Sequence, residues 1–368
     1  MQIDELLKSM VNKAASDLHL TVTSPPVFRI DGELVPQEDL PPMTAKDIEL
    51  VLEQIATQDQ RSVFDRESEM DCTYTLPGLA RFRVNALRQR GVISLAFRFV
   101  PFYIPSIDEW GLPQILKELI LKPKGLILVT GASGSGKSTT MAAMLSHLND
   151  NATRSVITIE DPVEFVFRNK KCLIRQRDLR DDTKSFATAV IHALRHDADV
   201  IVIGEMRDLD TISAAITVAE TGHLVLGTLH TVDASQSIDR IIDVFPYGQH
   251  QQIRIQLSQV IEAVISQALL PRIDGGRIAA FEIMLASATI KTKIREAKAF
   301  EIPVTIEVSK PEGMQTLDQA LADLVKRKIV TLEDALMKSR DPTKLQKLLQ
   351  SQDEANVLQG TVGNLIEK

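Results

Sequence analysis

Nine consecutive residues, Gly131-Ala132-Ser133-Gly134-Ser135-Gly136-Lys137-Ser138-Thr139, have the types and spacing to hold a nucleoside triphosphate. They fit the pattern G-x-x-x-x-G-K-[ST]. Glycines let a backbone curl until several N–H groups point at one anion. In that chemistry Ser133, Gly134, Ser135 and Gly136 line the cradle, Lys137 meets the β- and γ-phosphates, and Ser138 offers its hydroxyl to Mg²⁺, with Thr139 beside it. ATP and Mg²⁺ are the implied ligands.

Hydrolysis also needs a carboxylate at the metal and a group that orients the attacking water. Val200-Ile201-Val202-Ile203 runs into Gly204-Glu205, an apolar strand ending in an acid. Many nucleotide-binding loops of this kind are served by Asp-Glu at that point, so a single carboxylate here must share the work. Ile159-Glu160-Asp161-Pro162-Val163-Glu164 also follows an apolar run and is the other source of acids. Glu205 is expected to organise the metal or its water, with Glu164 as a candidate base; which of the two activates the water stays open. His223 and His230 flank Leu224-Val225-Leu226, in Thr221-Gly222-His223 and Gly227-Thr228-Leu229-His230-Thr231. Further zinc ligands are not evident. A neutral imidazole there can hydrogen-bond a phosphate or relay its loss, and a purely structural histidine is the alternative.

These groups need a scaffold that brings strand ends together. From residue 125 onward, Leu126–Val129, Val156–Ile159, Val200–Ile203 and Leu224–Leu226 are continuous apolar runs separated by helical patterns. That grammar predicts a parallel sheet covered on both faces. Met141, Met144, Leu145 and Leu148 place a helix directly after the glycine-rich loop, its N-terminus favouring phosphate charge. Past about residue 285 the pattern is helical, with Leu317, Leu321, Leu324 and Val325 on one face and Thr331 capping another helix.

The first hundred residues read differently. Ile3, Leu6, Leu7, Met10 and Val11 recur at helical spacing. Asp31-Gly32 between apolar runs signals a hairpin. Thr44 can cap a helix whose core face is Ile48, Val51, Leu52 and Ile55. Within 71–100, Phe82, Val84 and Ala86 alternate with Arg81, Arg83 and Asn85, and across Gln89-Arg90-Gly91 a second alternation carries Arg98. Period two puts Arg83 and Arg98 on polar strand faces. The expected organisation is α/β: an α+β domain over 1–100, a proline-stiffened linker over 101–115, the nucleotide-binding core over 116–285 and a helical region over 286–368.

Composition bounds the partners. The 368 residues carry a net charge of −7 and only 4% aromatics. That argues against a broad nucleic-acid face, which needs positive charge and stacking platforms. Cys72 and Cys172 fit neither a disulfide framework nor a four-ligand zinc site, and suggest a reducing, cytoplasmic setting. No apolar run approaches the roughly 18 residues of a membrane span.

The four segments in this order resemble those of the secretion and pilus ATPases. That family has a Walker A loop, an acidic box like Ile159–Phe165, a Walker B strand ending Gly-Glu, and a histidine box like Thr221–Thr231. Ala193-Leu194-Arg195-His196-Asp197-Ala198-Asp199 and Glu205-Met206-Arg207-Asp208 resemble the pilus branch. Ser16–Leu20 and Phe28–Gly32 are similar to its PAS-like first domain. The short chain, the absence of a tetracysteine segment and Gly313–Gln319 resemble the type IV pilus retraction ATPases, the PilT/PilU type. The resemblance implies a PAS-like domain joined to a RecA-like P-loop ATPase domain with a C-terminal helical segment. It implies a homo-hexamer hydrolysing ATP to retract pili, working on an inner-membrane platform protein and with a second pilus ATPase as a possible partner. It assigns Arg83 and Arg98 to the γ-phosphate, which suits a charge that does not titrate away. Against the family's AIRNLIRE stretch, residues 289–296 keep only Ile290, Ile294, Arg295 and Glu296. A PilU-type accessory ATPase or another secretion-family ATPase is therefore the alternative reading, and a nucleic-acid translocase a remoter one.

Overall fold

Ile3, Leu6, Leu7 and Met10 form the buried face of the first helix, α1 (Ile3–Asn12), as their spacing requires. The computed structural model describes residues 2–350 apart from Asp31, Gly78, 101–103 and Arg180. Backbone contacts divide the chain into two units, Met1–Tyr103 with Glu164–Val166, and Ile104–Val163 with Phe167–Lys368.

The first unit continues with β1 (Asp17–Leu20), β2 (Val27–Ile30), β3 (Glu33–Pro36), α2 (Ala45–Ile55), α3 (Gln58–Glu67), β4 (Glu69–Leu76), β5 (Ala80–Gln89) and β6 (Val92–Val100). The strands form an antiparallel sheet in the order β3-β2-β1-β6-β5-β4. Thr44 caps α2 through a reciprocal bond with Asp47. One sheet face is buried: Phe82, Val84, Ala86, Leu95 and Phe97 pack with Ile48, Val51 and Phe64. The opposite face carries Arg83 and Arg98, directly paired across β5 and β6. Asp31 of the expected hairpin turn lies outside the described residues, but Ile30 pairs Glu33 across it.

The second unit contains α4 (Ile115–Ile120), β7 (Gly125–Thr130), α5 (Lys137–Asn151), β8 (Ser155–Glu160), β9 (Leu173–Asp178), α6 (Phe186–Ala193), β10 (Val200–Ile203), α7 (Leu209–Glu220), β11 (Leu224–Leu229), α8 (Ala234–Asp243), α9 (His250–Val260), β12 (Ile261–Pro271), β13 (Arg277–Leu285), α10 (Ala288–Arg295), α11 (Ile302–Val308), α12 (Leu317–Lys326) and α13 (Leu332–Lys338). Its sheet order is β13-β12-β7-β11-β10-β8-β9. β12 through β9 run parallel, while β13 returns antiparallel at the edge. The expectation of a parallel sheet therefore needs this correction: a hairpin of two long strands closes one side.

Both sheet faces are buried. Leu126, Leu128, Ile201 and Ile203 enter one core, and Ile127, Val129, Val200 and Val202 the other. This double burial is why the strands read as unbroken apolar runs. Ile107 and Leu112 pack into the second of these cores. Leu317, Leu321 and Leu324 of α12 pack with Leu270 and Ala280 of the β12–β13 hairpin. The helical region's residues beyond 350 lie outside the described residues.

Candidate active site

Parallel strands bring their carboxyl ends to one edge, where ligands bind in open α/β sheets. In register, Thr130 pairs Leu229, Ile203 pairs Gly227 and Ile159 pairs Ile203. The residues that follow each strand therefore share that edge: the glycine-rich loop, Gly204-Glu205, Glu160-Asp161 and His230.

The loop between β7 and α5 has the shape of an anion cradle. Gly131 has φ +145°, and a Cβ there would stand 2.5 Å from the Gln267 carbonyl oxygen and 2.6 Å from Ser135 Oγ. Only glycine fits. α5 starts at Lys137, so the first-turn N–H groups face the loop's concavity. Lys137 Nζ donates to the carbonyls of Gly131 (2.8 Å) and Ala132 (3.0 Å). Ser133 and Gly134 are exposed, Ser135 is buried, and Ser138 and Thr139 are half-buried at the mouth. Ser135 Oγ and Gln267 Oε1 are buried polar atoms without a hydrogen-bond partner. A loop that leads into a helix N-terminus, with an ammonium and two buried polar atoms lacking partners, fits a triphosphate.

Gln267 is a positioning residue that the sequence reading missed. Its Nε2 donates to the Ser135 carbonyl at 2.6 Å. Beside it, Thr130 Oγ1 donates to Ser266 Oγ at 2.8 Å. The available signal was a Ser-Gln pair interrupting the apolar run of β12.

Gly204 explains the Gly-Glu form of the second motif. Its N–H donates to the Ile159 carbonyl at 2.7 Å, and a Cβ would stand 3.1 Å from that oxygen and 3.2 Å from Glu160 Cα. The turn is then strapped to β11: Thr228 Oγ1 donates to the Gly204 carbonyl at 2.5 Å, and Met206 N–H to the Thr228 carbonyl at 3.0 Å. That strapping puts Glu205 beside the end of β11. Glu205 Oε1 lies 2.7 Å from His230 Nε2 and also takes the Arg207 guanidinium. The Glu205 hydrogen bond raises the Arg207 pKa above its ordinary value, with the nearby Asp161 charge adding to this.

The remaining predicted residues fall in different places. Glu160 is held by Thr158 Oγ1 (2.6 Å) and Gln176 Nε2 (3.2 Å). Glu164 is exposed on the loop after β8. His223 departs from the expectation of a phosphate-facing histidine: it stands at the opposite end of β11 from His230. Its Nδ1 is 3.1 Å from Thr221 Oγ1 and 3.3 Å from the Val218 carbonyl, which is a structural role. In the first unit, Arg98 Nε pairs with Asp17 Oδ1 at 2.8 Å. Ile290 and Ile294, the matched isoleucines of α10, are core residues at 0% and 1% exposure. Agreement with the family stretch at these two positions is agreement in packing.

The loop, its acid and its histidine define a P-loop nucleoside triphosphatase. Residues 1–299 match the family model described as type II/IV secretion system protein, and the chain belongs to that family. It is 45% identical to the type IV pilus retraction ATPase PilT of Pseudomonas aeruginosa over 342 residues, covering 93% of this chain and 99% of that protein. It is 37% identical to the type IV pilus ATPase PilU of the same organism, covering 97% and 93%. The crystal structure of the pilus retraction motor PilT with bound ADP superposes with a TM-score of 0.89 at 43% identity, covering 94% of this chain and 99% of that one. Among the described residues no helix is long and apolar enough to cross a membrane.

Proposed function

We propose that this chain is the ATP-hydrolysing motor of type IV pilus retraction, acting in pilus disassembly and twitching motility. The observation that carries the reading is the convergence of the Gly131–Thr139 cradle with the Glu205–His230 pair at one sheet edge, in a chain alike to PilT over nearly its whole length. We assign a PAS-like domain to residues 1–100, a linker to 101–115, a RecA-like core to 116–285 and a helical region to 286–368.

ATP binds with its phosphates on Ser133–Thr139. Lys137 exchanges its carbonyl partners for the β- and γ-phosphates. Ser138 and Glu205 would hold Mg²⁺, which neutralises phosphate charge when bound. Glu205 accepts from His230 and Arg207 and so has a fixed orientation. Glu164 is the candidate base for the attacking water, and Arg83 and Arg98 are the arginines assigned to the γ-phosphate. Assembled as a homo-hexamer, the protein is cytoplasmic and reaches the inner membrane through a platform protein, with a second pilus ATPase as a further candidate partner.

The test combines turnover with pilus behaviour. The purified protein should hydrolyse ATP with Mg²⁺, and cells lacking it should extend pili without retracting them. Normal retraction in such cells, with turnover intact, would leave an ATPase of another secretion machine. The divergent 289–296 stretch leaves a second reading, the PilU-type accessory, although the chain is 45% identical to PilT and 37% to PilU. In that case cells lacking the protein still retract their pili, more weakly, because an accessory is not the primary motor.

A further inference from the structure

The segment that carries His230 is gripped from two sides. Glu205 holds it at His230. The other grip is an ion cluster, two buried carboxylates met by a partly exposed guanidinium, that the proposed chemistry does not use. Arg340 Nη1 lies 3.0 Å from Glu282 Oε2 and 3.2 Å from Asp233 Oδ2, and Arg340 Nη2 donates to the Val232 carbonyl. Glu282 Oε1 accepts from Ala234 N–H at 2.9 Å. One guanidinium and one carboxylate thus fix residues 232, 233 and 234, within four positions of His230.

The anchor on the other side is equally specific. Asp318 of α12 accepts from Ser339 Oγ (2.7 Å), Arg340 N–H (3.1 Å) and Asp341 N–H (3.3 Å). The turn that projects Arg340 is therefore clamped onto the C-terminal helices. Glu282 stands in the same sheet row as Ser266, Thr130 and Leu229, the residue before His230.

Glu282 is 3% exposed and Asp233's side chain 12%, while the Arg340 side chain that meets them is 27% exposed. Burying carboxylates is costly, and a buried ion pair adds little to stability over apolar residues of the same volume. What the cluster does provide is geometry. A planar fork reaching three acceptors holds a loop in one position, which a point charge or an apolar contact does not do.

We infer that Arg340 is a positioning residue for hydrolysis, tying the C-terminal helices to the segment that presents His230 to Glu205. It rests on the proposed catalytic role of that pair.

A double-mutant cycle tests this on the full-length assembled protein. Arg340→Ala should lower kcat about tenfold while nucleotide Kd stays within about twofold, and amides of residues 230–237 should exchange faster with those of Gly131–Thr139 unchanged. Arg340→Lys retains the charge opposite Glu282 and so keeps the fold. It should give a smaller kcat loss by the same route, and it carries the test if the alanine variant fails to fold. The decisive reading is in the His230→Ala background, where either Arg340 change should have no further effect on kcat. Equal kcat losses from Arg340 changes with and without His230 would overturn the proposal, as would wild-type kcat in Arg340→Lys and Arg340→Ala. Unchanged turnover in His230→Ala alone would instead reject the active-site reading itself.

Discussion

Glu205 Oε1 and His230 Nε2 stand 2.7 Å apart, joining the ends of β10 and β11 at the carboxyl edge of the sheet. The contact depends on the backbone strapping of residues 204–206 to Thr228. It gives the single carboxylate of the Gly-Glu motif a fixed direction. Glu205→Gln removes the charge and keeps the volume. Turnover should fall by about 10²-fold or more, with ATP still bound. Rates within a few-fold of wild type would show that Glu205 is not at the chemistry.

Lys137 is buried against the carbonyls of Gly131 and Ala132 and supplies the cradle's ammonium. Lys137→Ala should leave the thermal midpoint nearly unchanged and abolish measurable ATPase activity. Nucleotide-binding titrations and turnover assays on the same preparation check both halves. Undiminished turnover would remove the phosphate site from this loop.

Arg83 and Arg98 are cross-strand neighbours of like charge, an arrangement that is unfavourable without an anion. Arg98 is relieved by Asp17, whereas Arg83 makes no ion pair among the described residues. Arg83→Ala should therefore cut kcat with little change in stability. Arg98→Ala should cut kcat and also destabilise the first unit by up to about 1 kcal/mol, because Asp17 loses the guanidinium and keeps the Ser16 hydroxyl. Equal stability effects from the two variants would contradict this.

Burial pushes the Asp17 carboxyl up, but bonds from Arg98 and Ser16 outweigh it and hold it below its ordinary value. The folded pKa is depressed, so the bonds contribute stability above the unfolded value, about 3.9, and lose it as pH falls through the folded one. Asp17→Asn should flatten the pH dependence of unfolding below about pH 4. An unaltered acid limb would show that Asp17 does not couple to folding.

Gly204 occupies a position where a Cβ would press on the Ile159 carbonyl and Glu160 Cα. Gly204→Asp, which restores the commoner Asp-Glu pair, should destabilise the fold by about 1–3 kcal/mol through overpacking. A gain in turnover without loss of stability would mean that β8 can shift to admit a side chain.

Much of this was legible in the residues. The cradle, the strand ending in Glu205, the alternations that put Arg83 and Arg98 on polar strand faces, and the caps at Thr44 and Thr331 are local patterns, set by periodicity of two or 3.6 and by glycine's freedom. β9, α3 and the β12–β13 hairpin were less so. β9 mixes Leu173 and Ile174 with Arg175, Gln176 and Arg177, and α3 buries only Phe64, so neither shows a clear period.

What the sequence by itself determined was which residue types could bind phosphate and which runs could be strands. Only the tertiary structure decided which of those residues meet. His223 and His230 have the same type and similar neighbours, yet the direction of β11 sends one to each end of the sheet. Gln267, Glu282 and Arg340 lie more than 130 positions from Ser135, about 50 from Ala234 and about 110 from Val232 respectively. Their partnerships follow from strand order and register, which arise from burying two faces of one sheet, and local spacing carries no trace of them.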